Sequence, residues 1–341
     1  IHKRKDLTLA SYDFEGGFPE SKTGKVLSKQ FNIPYYTQKI QMGYLWKKLD
    51  EISNLNNCMT DFTHPRQIDA IHHWKGLGDV ILLGHWGDVL FDKHAESDKI
   101  NYDEQLNHLK ENILKPGGRE LADDLWKIWN LEGSFETYIT ERLDRLYSDI
   151  DIDHPSARMR AFKSLYWAPR WTSVNLSIFN QAGEIVLPYY SDAMCKFICT
   201  IPERYLEGRR IQIEYIKKNC HEAARIPWQK FHPLNLYNYQ QFNQPHYSLV
   251  RALRKVNRIL QVYFSKSPEL ITRNWELQFL GEQNFIQLRK NLLERNNFKK
   301  LIPQNIIKKY LDNFQIDPIK YAHPVSMLLT LAVFSDKYYS E

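Results

Sequence analysis

The sequence of 341 residues lacks an apolar run long enough to cross a membrane. Its most apolar stretch, residues 327–334 (MLLTLAVF), is less than half of the roughly 18 residues that a spanning helix requires. This absence excludes a membrane-embedded enzyme. The sequence also has no internal repeat and no low-complexity segment, so neither a repeat protein nor a disordered chain is expected.

Cysteine is scarce, with four residues in the chain: Cys58, Cys195, Cys199 and Cys220. Four thiols in a chain of this length do not form a disulfide framework, and they predict a reduced, cytoplasmic setting. Cys195 and Cys199 would share one face of a helix, and Cys220 precedes His221, so a zinc site is one hypothesis. We expect buried structural thiols instead.

The sequence begins at Ile1, without an initiator methionine, and it shows no signal-peptide pattern. We therefore expect the natural start to lie before Ile1. Hydrophobic residues make up 43% and charged residues 25%, which is typical of a folded globular protein of about two domains or one large one. The net charge of +6 is modest and suits a bound polyanion such as nucleic acid or a nucleotide phosphate.

Short-range patterns predict an α/β arrangement in the first hundred residues. Residues 7–14 alternate as in a strand, residues 20–31 have helical spacing, and residues 33–40 are again extended, which together predict a βαβ unit. Residues 65–74 are predicted to be helical. The apolar run 79–83 between two glycines predicts a buried parallel strand, and ligands of α/β proteins bind at the carboxyl ends of such strands.

The rest of the chain is predicted to be mainly helical, with a break at Pro116-Gly117-Gly118. We accordingly divide the chain into an α/β nucleotide-binding part, residues 1–115, and a mainly helical remainder, residues 116–341. The helices are predicted at residues 102–114, 121–131, 135–147, 157–166 and 249–264.

Several apparent motifs have simpler explanations. Asp149, Asp151 and Asp153 form a D-x-D-x-D string, but a calcium loop would need Gly where His154 stands and Glu where Arg160 stands. A solvated acidic loop is expected there. A hydrolytic metal site could be drawn from Asp88 and four histidines: His64, His72, His73 and His85. No metal-ligand spacing supports such a site. The basic stretch 251–258 is expected to be the outer face of a packed helix, and nucleic-acid binding is the weaker alternative.

The segment Gly84–Asp92 (GHWGDVLFD) is the most informative stretch. Glycines just beyond a strand allow the backbone to approach a phosphate or ribose, and an Asp there can hold Mg²⁺. A tight turn without a ligand is the alternative. With its preceding strand, the segment resembles the asparagine synthetase pattern of an apolar strand followed by G-E-G-x-D-E-L-F-G.

Three further stretches follow in the same order as in that family. Residues 7–15 (LTLASYDFE) resemble its adenine-binding strand, with Ser11 and Phe14 matching S-x-G-F. Residues 183–192 (GEIVLPYYSD) resemble E-x-R-x-P-F-L-D, and Ile201-Pro202 further along the chain resembles L-P. Residues 326–339 (SMLLTLAVFSDKYY) resemble the closing helix. The chain thus resembles the synthetase domain of asparagine synthetase over nearly its whole length.

This resemblance implies an α/β fold with a parallel sheet of the adenine nucleotide alpha hydrolase-like (PP-loop) type, flanked by helices, and a mainly helical C-terminal part. It implies an ATP- and Mg²⁺-dependent ligase that adenylates a carboxylate, releases pyrophosphate and transfers an amine. The implied site residues are Asp88 as the Mg²⁺ ligand, Arg210 as a pyrophosphate contact, with Arg209 close behind, and three nucleotide contacts: Ser11, Gly84 and Gly87.

The chain departs from the family at four places. The pyrophosphate loop S-G-G-x-D-S is absent and is expected before Ile1. The family's first glutamate, associated with amine attack, is His85, and its second is Val89. His85 could be a catalytic base near neutral pH, a neutral donor or a space-filling residue. Arg210 stands where the family has a lysine, and an exposed basic turn is the alternative there.

These departures leave the substrate open. The expected partners are a small-molecule or peptide carboxylate and an amine donor such as glutamine-derived ammonia, with no nucleic acid, no membrane and a possible homodimer. An alternative function is a catalytically degenerate domain that persists as a nucleotide-binding or scaffold module.

Overall fold

The computed structural model describes residues 4–17, 20–95, 98–264 and 275–339. Ile1, before which the natural start is expected, lies outside the described residues. The described chain is mostly helical and contains four short strands. The strands are β1 (Leu9–Phe14), β2 (Tyr35–Ile40), β3 (Val80–Leu82) and β4 (Glu184–Val186).

The chain divides into two compact units that alternate along the sequence. The first comprises Ile1–Met42, Ala70–Asp92 and Gln181–Asn274, and the second comprises Gly43–Asp69, Lys93–Asn180 and Trp275–Glu341. The domain division predicted near residue 115 stays a prediction.

The first unit contains all four strands and the helices that follow β4. Its α-helices, including one that crosses the division between the units, are α1 (Ser21–Phe31), α3 (Ile68–Trp74), α4 (Gly87–Leu90), α10 (Asp192–Cys199), α11 (Glu203–Leu206), α12 (Arg210–Asn219), α13 (His221–Arg225) and α14 (Ser248–Phe264). Its short 3₁₀ turns are Pro188–Tyr190, Glu207–Arg209, Gln229–Phe231, Tyr239–Asn243 and Pro245–Tyr247.

The predicted βαβ unit is confirmed. β1 and β2 pair in parallel, with Leu9 opposite Tyr35 and Phe14 opposite Ile40, and α1 connects them. Asn32 ends α1 in the left-handed conformation, where its backbone N–H donates to the carbonyl of Ser28. This cap lets the chain leave the helix directly into β2.

The strand predicted at residues 79–83 is also present, but its predicted burial is wrong. β3 pairs in parallel with β4, with Leu82 opposite Val186. Val80 and Leu82 are nevertheless 54% and 67% exposed. Val80 and Leu82 lie two residues apart and so share one face of the sheet, which is largely exposed. In the described part of the chain β4 is the one strand that pairs with β3. The four strands form two separate two-stranded parallel sheets, and a single PP-loop sheet stays a proposal.

The second unit is built from helices alone among the described residues. They are α2 (Tyr44–Asn56), α5 (Tyr102–Ile113), α6 (Gly118–Ile128), α7 (Phe135–Ser148), α8 (Pro155–Phe162), a π-helix (Lys163–Thr172), α9 (Ser173–Leu176), the 3₁₀ turns Ser177–Gln181 and Trp275–Phe279, α15 (Glu282–Leu293), α16 (Asn296–Leu301), α17 (Gln304–Ile316) and α18 (Pro318–Tyr338).

Sequence-encoded caps fix where several of these helices begin. Asn101 and Glu104 form a reciprocal capping box at α5, and the Ser134 hydroxyl accepts from the backbone N–H of Thr137 at α7. Asp317 accepts from the backbone N–H of Lys320 at α18. One apolar cluster joins α5, α7 and α8 around Leu109, Leu143, Tyr147, Met159 and Phe162, which are at most 5% exposed.

A buried carboxylate lies before α3, within the second unit. The Asp61 carboxylate accepts hydrogen bonds from the backbone and hydroxyl of Thr63 and from the Nδ1 of His64, at 2.8 Å to the second oxygen. Burial alone would raise the pKa of Asp61, but the His64 charge, the hydrogen bonds of His64 and Thr63, and the charge of Lys115 hold it well below its ordinary value.

None of the described helices combines the length and the apolar character needed to cross a bilayer.

Candidate functional site

The segment that follows β3 turns sharply and begins a short helix. The backbone N–H of Leu83 donates to the carbonyl of Val186 at 3.1 Å, which extends the pairing of β3 with β4 by one residue. Trp86 then adopts a left-handed conformation with φ of 74°, and α4 starts at Gly87. A bulky residue rarely adopts this conformation, which costs roughly 1–2 kcal/mol. Trp86 is buried, so packing holds the turn.

Two tyrosines in the 3₁₀ turn after β4 pack on this segment. The ring of Tyr190 lies 5.6 Å from that of Trp86, and the ring of Tyr189 lies 5.8 Å from that of Phe91, edge to face. A Cβ atom at Gly87 would approach the Tyr189 ring to 2.6 Å. The two stretches identified separately in the sequence, residues 84–92 and 183–192, therefore contact each other.

The two glycines of this segment differ in their surroundings. Gly87 is buried under Tyr189, and its lack of a side chain is explained by that packing. Gly84 is exposed, and a Cβ atom added there would meet no described atom within 4 Å. Space for a ligand next to the backbone is therefore found at Gly84, whereas the role predicted for Gly87 as a nucleotide contact stays a prediction.

The two polar residues of the segment differ in exposure and charge state. Asp88 lies at the second residue of α4 with its side chain exposed, and one of its oxygens accepts from the backbone N–H of Val89 at 3.1 Å. His85 is half-buried. Burial lowers the pKa of His85, and the charge of Asp88 opposes this shift only in part. At pH 7 His85 is therefore a neutral imidazole, the form that accepts a proton.

The basic turn at residues 208–210 lies near the same segment through Arg209, not through Arg210. Arg209 Nε is 3.8 Å from an Asp92 carboxylate oxygen, and both side chains are about two-fifths exposed. Arg209 has a left-handed φ of 59°, which ends the turn and lets α12 begin at Arg210. Arg210 is exposed there. The Nε2 of Gln212, on the same helix, donates to the Tyr189 hydroxyl at 3.2 Å.

Ser11 lies in the other sheet of the first unit. Its hydroxyl is hydrogen-bonded to that of Tyr35, which in turn donates to the backbone carbonyl of Ser21 at 3.0 Å. Among the described residues no strand pairing joins the sheet of β1 and β2 to that of β3 and β4. Of the predicted site residues, His85, Gly84, Gly87 and Asp88 are thus grouped by their shared loop, while Ser11 has its own local partners.

The described residues contain no group of three or more His, Cys, Asp or Glu side chains placed to hold a metal ion. His72 and His73 are exposed on α3, and His64 binds Asp61. Mg²⁺ in nucleotide sites needs one or two carboxylates, with phosphates and waters as its other ligands. The exposed Asp88 fits that role, beside open backbone at Gly84.

The prediction of buried thiols is not confirmed for any of the four cysteines: Cys58 and Cys220 are partly buried, and the other two are exposed. All four cysteines are free, and Cys195 and Cys199 are exposed on α10 rather than buried. The helix buries the side chain of Ile198 instead, and the two thiols lie on the face turned to solvent. Trp86 and the tyrosines are the site residues that sequence reasoning did not select; the aromatic pair after the β4 strand was the available signal.

Comparison with known proteins identifies no relative: no family model, no curated protein and no solved structure matches the chain.

Proposed function

We propose that the chain is the synthetase part of an ATP-dependent amide-forming ligase of the asparagine synthetase type, with a PP-loop nucleotide-binding arrangement. The observation that carries this proposal is the loop at the carboxyl end of β3, where exposed Asp88 lies four residues from Gly84, whose Cβ position has no described atom within 4 Å. Ligands of α/β proteins bind at such strand ends. The confirmed βαβ unit of the same compact unit supports the same fold class.

Each residue of the loop has a distinct part in this proposal. Asp88 would hold Mg²⁺, and the backbone at Gly84 would lie against the nucleotide because no described atom lies within 4 Å of an added Cβ there. When bound, Mg²⁺ neutralises charge on the departing pyrophosphate. Trp86, held by Tyr190, fixes the direction in which α4 presents Asp88.

Two further side chains contribute charge and proton transfer. Arg209 or Arg210 would place a guanidinium against the pyrophosphate, which suits its paired N–H donors. Arg209 is the stronger candidate, because it is the one with an ion pair to the loop. His85, neutral at pH 7, would accept the proton that the attacking amine loses.

The partners follow from this chemistry. The substrate would be a small-molecule or peptide carboxylate, and the amine would come from a donor such as glutamine-derived ammonia. We propose a cytoplasmic enzyme that requires no membrane or nucleic acid, in agreement with four free thiols and a modest net charge.

An ATP–pyrophosphate exchange assay with the natural full-length protein, over a panel of carboxylic acids, tests the proposal. We expect carboxylate-dependent exchange that Asp88→Ala reduces by about 100-fold or more. Asp312→Ala is the matched control, because Asp312 is an exposed aspartate on α17, outside the loop, and it should leave exchange unchanged.

The same assay separates the enzyme from the alternative of a degenerate binding module. His85 and Val89 stand where the family has glutamates, which is the observation that favours the alternative. Nucleotide binding by calorimetry without exchange for any acid would support a binding module and contradict the ligase. Exchange that is equal in Asp88→Ala and Asp312→Ala would contradict the assignment of Asp88.

A further inference from the structure

Helix α10 presents two thiols side by side to solvent. Cys195 and Cys199 lie four positions apart within Asp192–Cys199, and both are exposed. Residues four apart lie on the same helix face, with Cβ atoms about 5–6 Å from each other. The helix is anchored by buried Ile198 and begins at Ser191, whose hydroxyl accepts from the backbone N–H of Met194. The thiol pair therefore sits on a fixed element.

This spacing suits a bridging ion better than a disulfide. A disulfide needs Cβ atoms about 3.5–4.5 Å apart, which is closer than a regular helix places residues i and i+4. An ion between two sulfurs adds two bonds of about 2.3 Å each, so it spans the gap without distorting the helix. The pair is thus geometrically a ligand set more than a redox couple.

The donor set selects the kind of ion. Structural zinc requires four ligands, and the described residues contain no third His, Cys, Asp or Glu that joins this pair as a metal-binding group. Two thiolates alone satisfy a soft monovalent ion that accepts two ligands. Among biological metals, thiolate softness favours Cu(I).

We propose that Cys195 and Cys199 bind one Cu(I) ion as a two-coordinate dithiolate site. Binding replaces two S–H bonds with two Cu–S bonds and releases two protons, and no electron is transferred. Affinity accordingly rises with pH while the thiols are protonated. The site is independent of the proposed ligase activity.

Anaerobic titration of the full chain with Cu(I), against a chromophoric Cu(I) chelator at fixed pH, tests the site. We expect one ion per chain, and Cys195→Ser or Cys199→Ser should each weaken binding by about 100-fold or more because chelation is lost. The Cys58→Ser/Cys220→Ser double variant should retain wild-type affinity. X-ray absorption should show two sulfur ligands. Retention in Cys195→Ser, or a third or fourth ligand, would overturn the proposal.

Discussion

Replacing Gly87 by alanine tests the packing of the candidate site directly. The added Cβ would lie 2.6 Å from Cε2 of Tyr189 and 2.9 Å from Cζ. Gly87 is not among the glycines with positive φ, so alanine can adopt its backbone conformation. The cost of the substitution is therefore steric and comes from one aromatic ring.

The structure sets the size of the effect. The ring must retreat by about 0.8 Å to restore ordinary contact at 3.4 Å. It is held in place by the edge of Phe91 and by the hydrogen bond from Gln212. Overpacking of this kind costs about 1–3 kcal/mol. Alanine is a better helix former than glycine by at most about 1 kcal/mol, which offsets part of the loss. We expect a net destabilisation of about 1–2 kcal/mol.

Urea denaturation at equilibrium measures this change, with Gly84→Ala as the matched control. Gly84 lies in the same loop and has no positive φ, and no described atom lies within 4 Å of an added Cβ, so its substitution should change the free energy of unfolding by less than about 0.5 kcal/mol. Removing the ring by Tyr189→Ala in the Gly87→Ala background should eliminate the steric cost, giving a coupling of about 1 kcal/mol or more.

Two results would refute this reasoning. One is a Gly87→Ala variant as stable as Gly84→Ala. The other is a double-mutant cycle in which the effects of Gly87→Ala and Tyr189→Ala simply add, because independent effects would mean that the two residues do not share the packing described above.

Three further predictions concern stability. Gly117→Ala should cost roughly 2 kcal/mol or more, because it combines a positive φ of 70° with a backbone clash at 2.5 Å. Gly133→Ala has a similar φ of 69° but no clash with a described atom, so it should cost about 1 kcal/mol. Thermal denaturation that ranks the two variants equally would contradict this. Asp61→Asn should lower the free energy of unfolding by about 3 kcal/mol at pH 7, because it removes the buried carboxylate charge that lies against His64. Because the folded pKa of Asp61 is lowered, its contribution is present above the unfolded value near 3.9 and is lost as pH falls further, so urea curves of variant and wild type should converge in acid. Arg209→Ala should change stability by less than about 1 kcal/mol in the same measurement, because its ion pair is exposed.

Local structure was predictable wherever the sequence itself supplies the stabilising groups. The βαβ unit follows from alternation in residues 7–14, helical spacing in 20–31 and a second extended run. The α5 helix begins where Asn101 and Glu104 form their capping box, and its end was predicted within one residue. These interactions join neighbours in sequence, so the pattern contains their cause.

Burial was less predictable because it depends on distant partners. The apolar run of β3 correctly indicated a parallel strand, but Val80 and Leu82 are exposed. An apolar triplet indicates that a strand is stabilised by packing against another element, but it does not specify which element that is. Cys195 and Cys199 fail for a related reason. Their spacing places both on one face if the segment is helical, but which face turns inward is decided by Ile198 and its contacts.

The shape of the candidate site arises from contacts between two segments about a hundred residues apart. Trp86 adopts its unfavourable φ at a cost of roughly 1–2 kcal/mol. Burying an indole of about 200 Å² contributes roughly 5 kcal/mol, so packing exceeds the strain. Tyr190 supplies part of that packing, and Tyr189 fills the space above Gly87. The turn that orients Asp88 therefore depends on the segment after β4. A substitution at either tyrosine should alter the candidate site without touching a ligand.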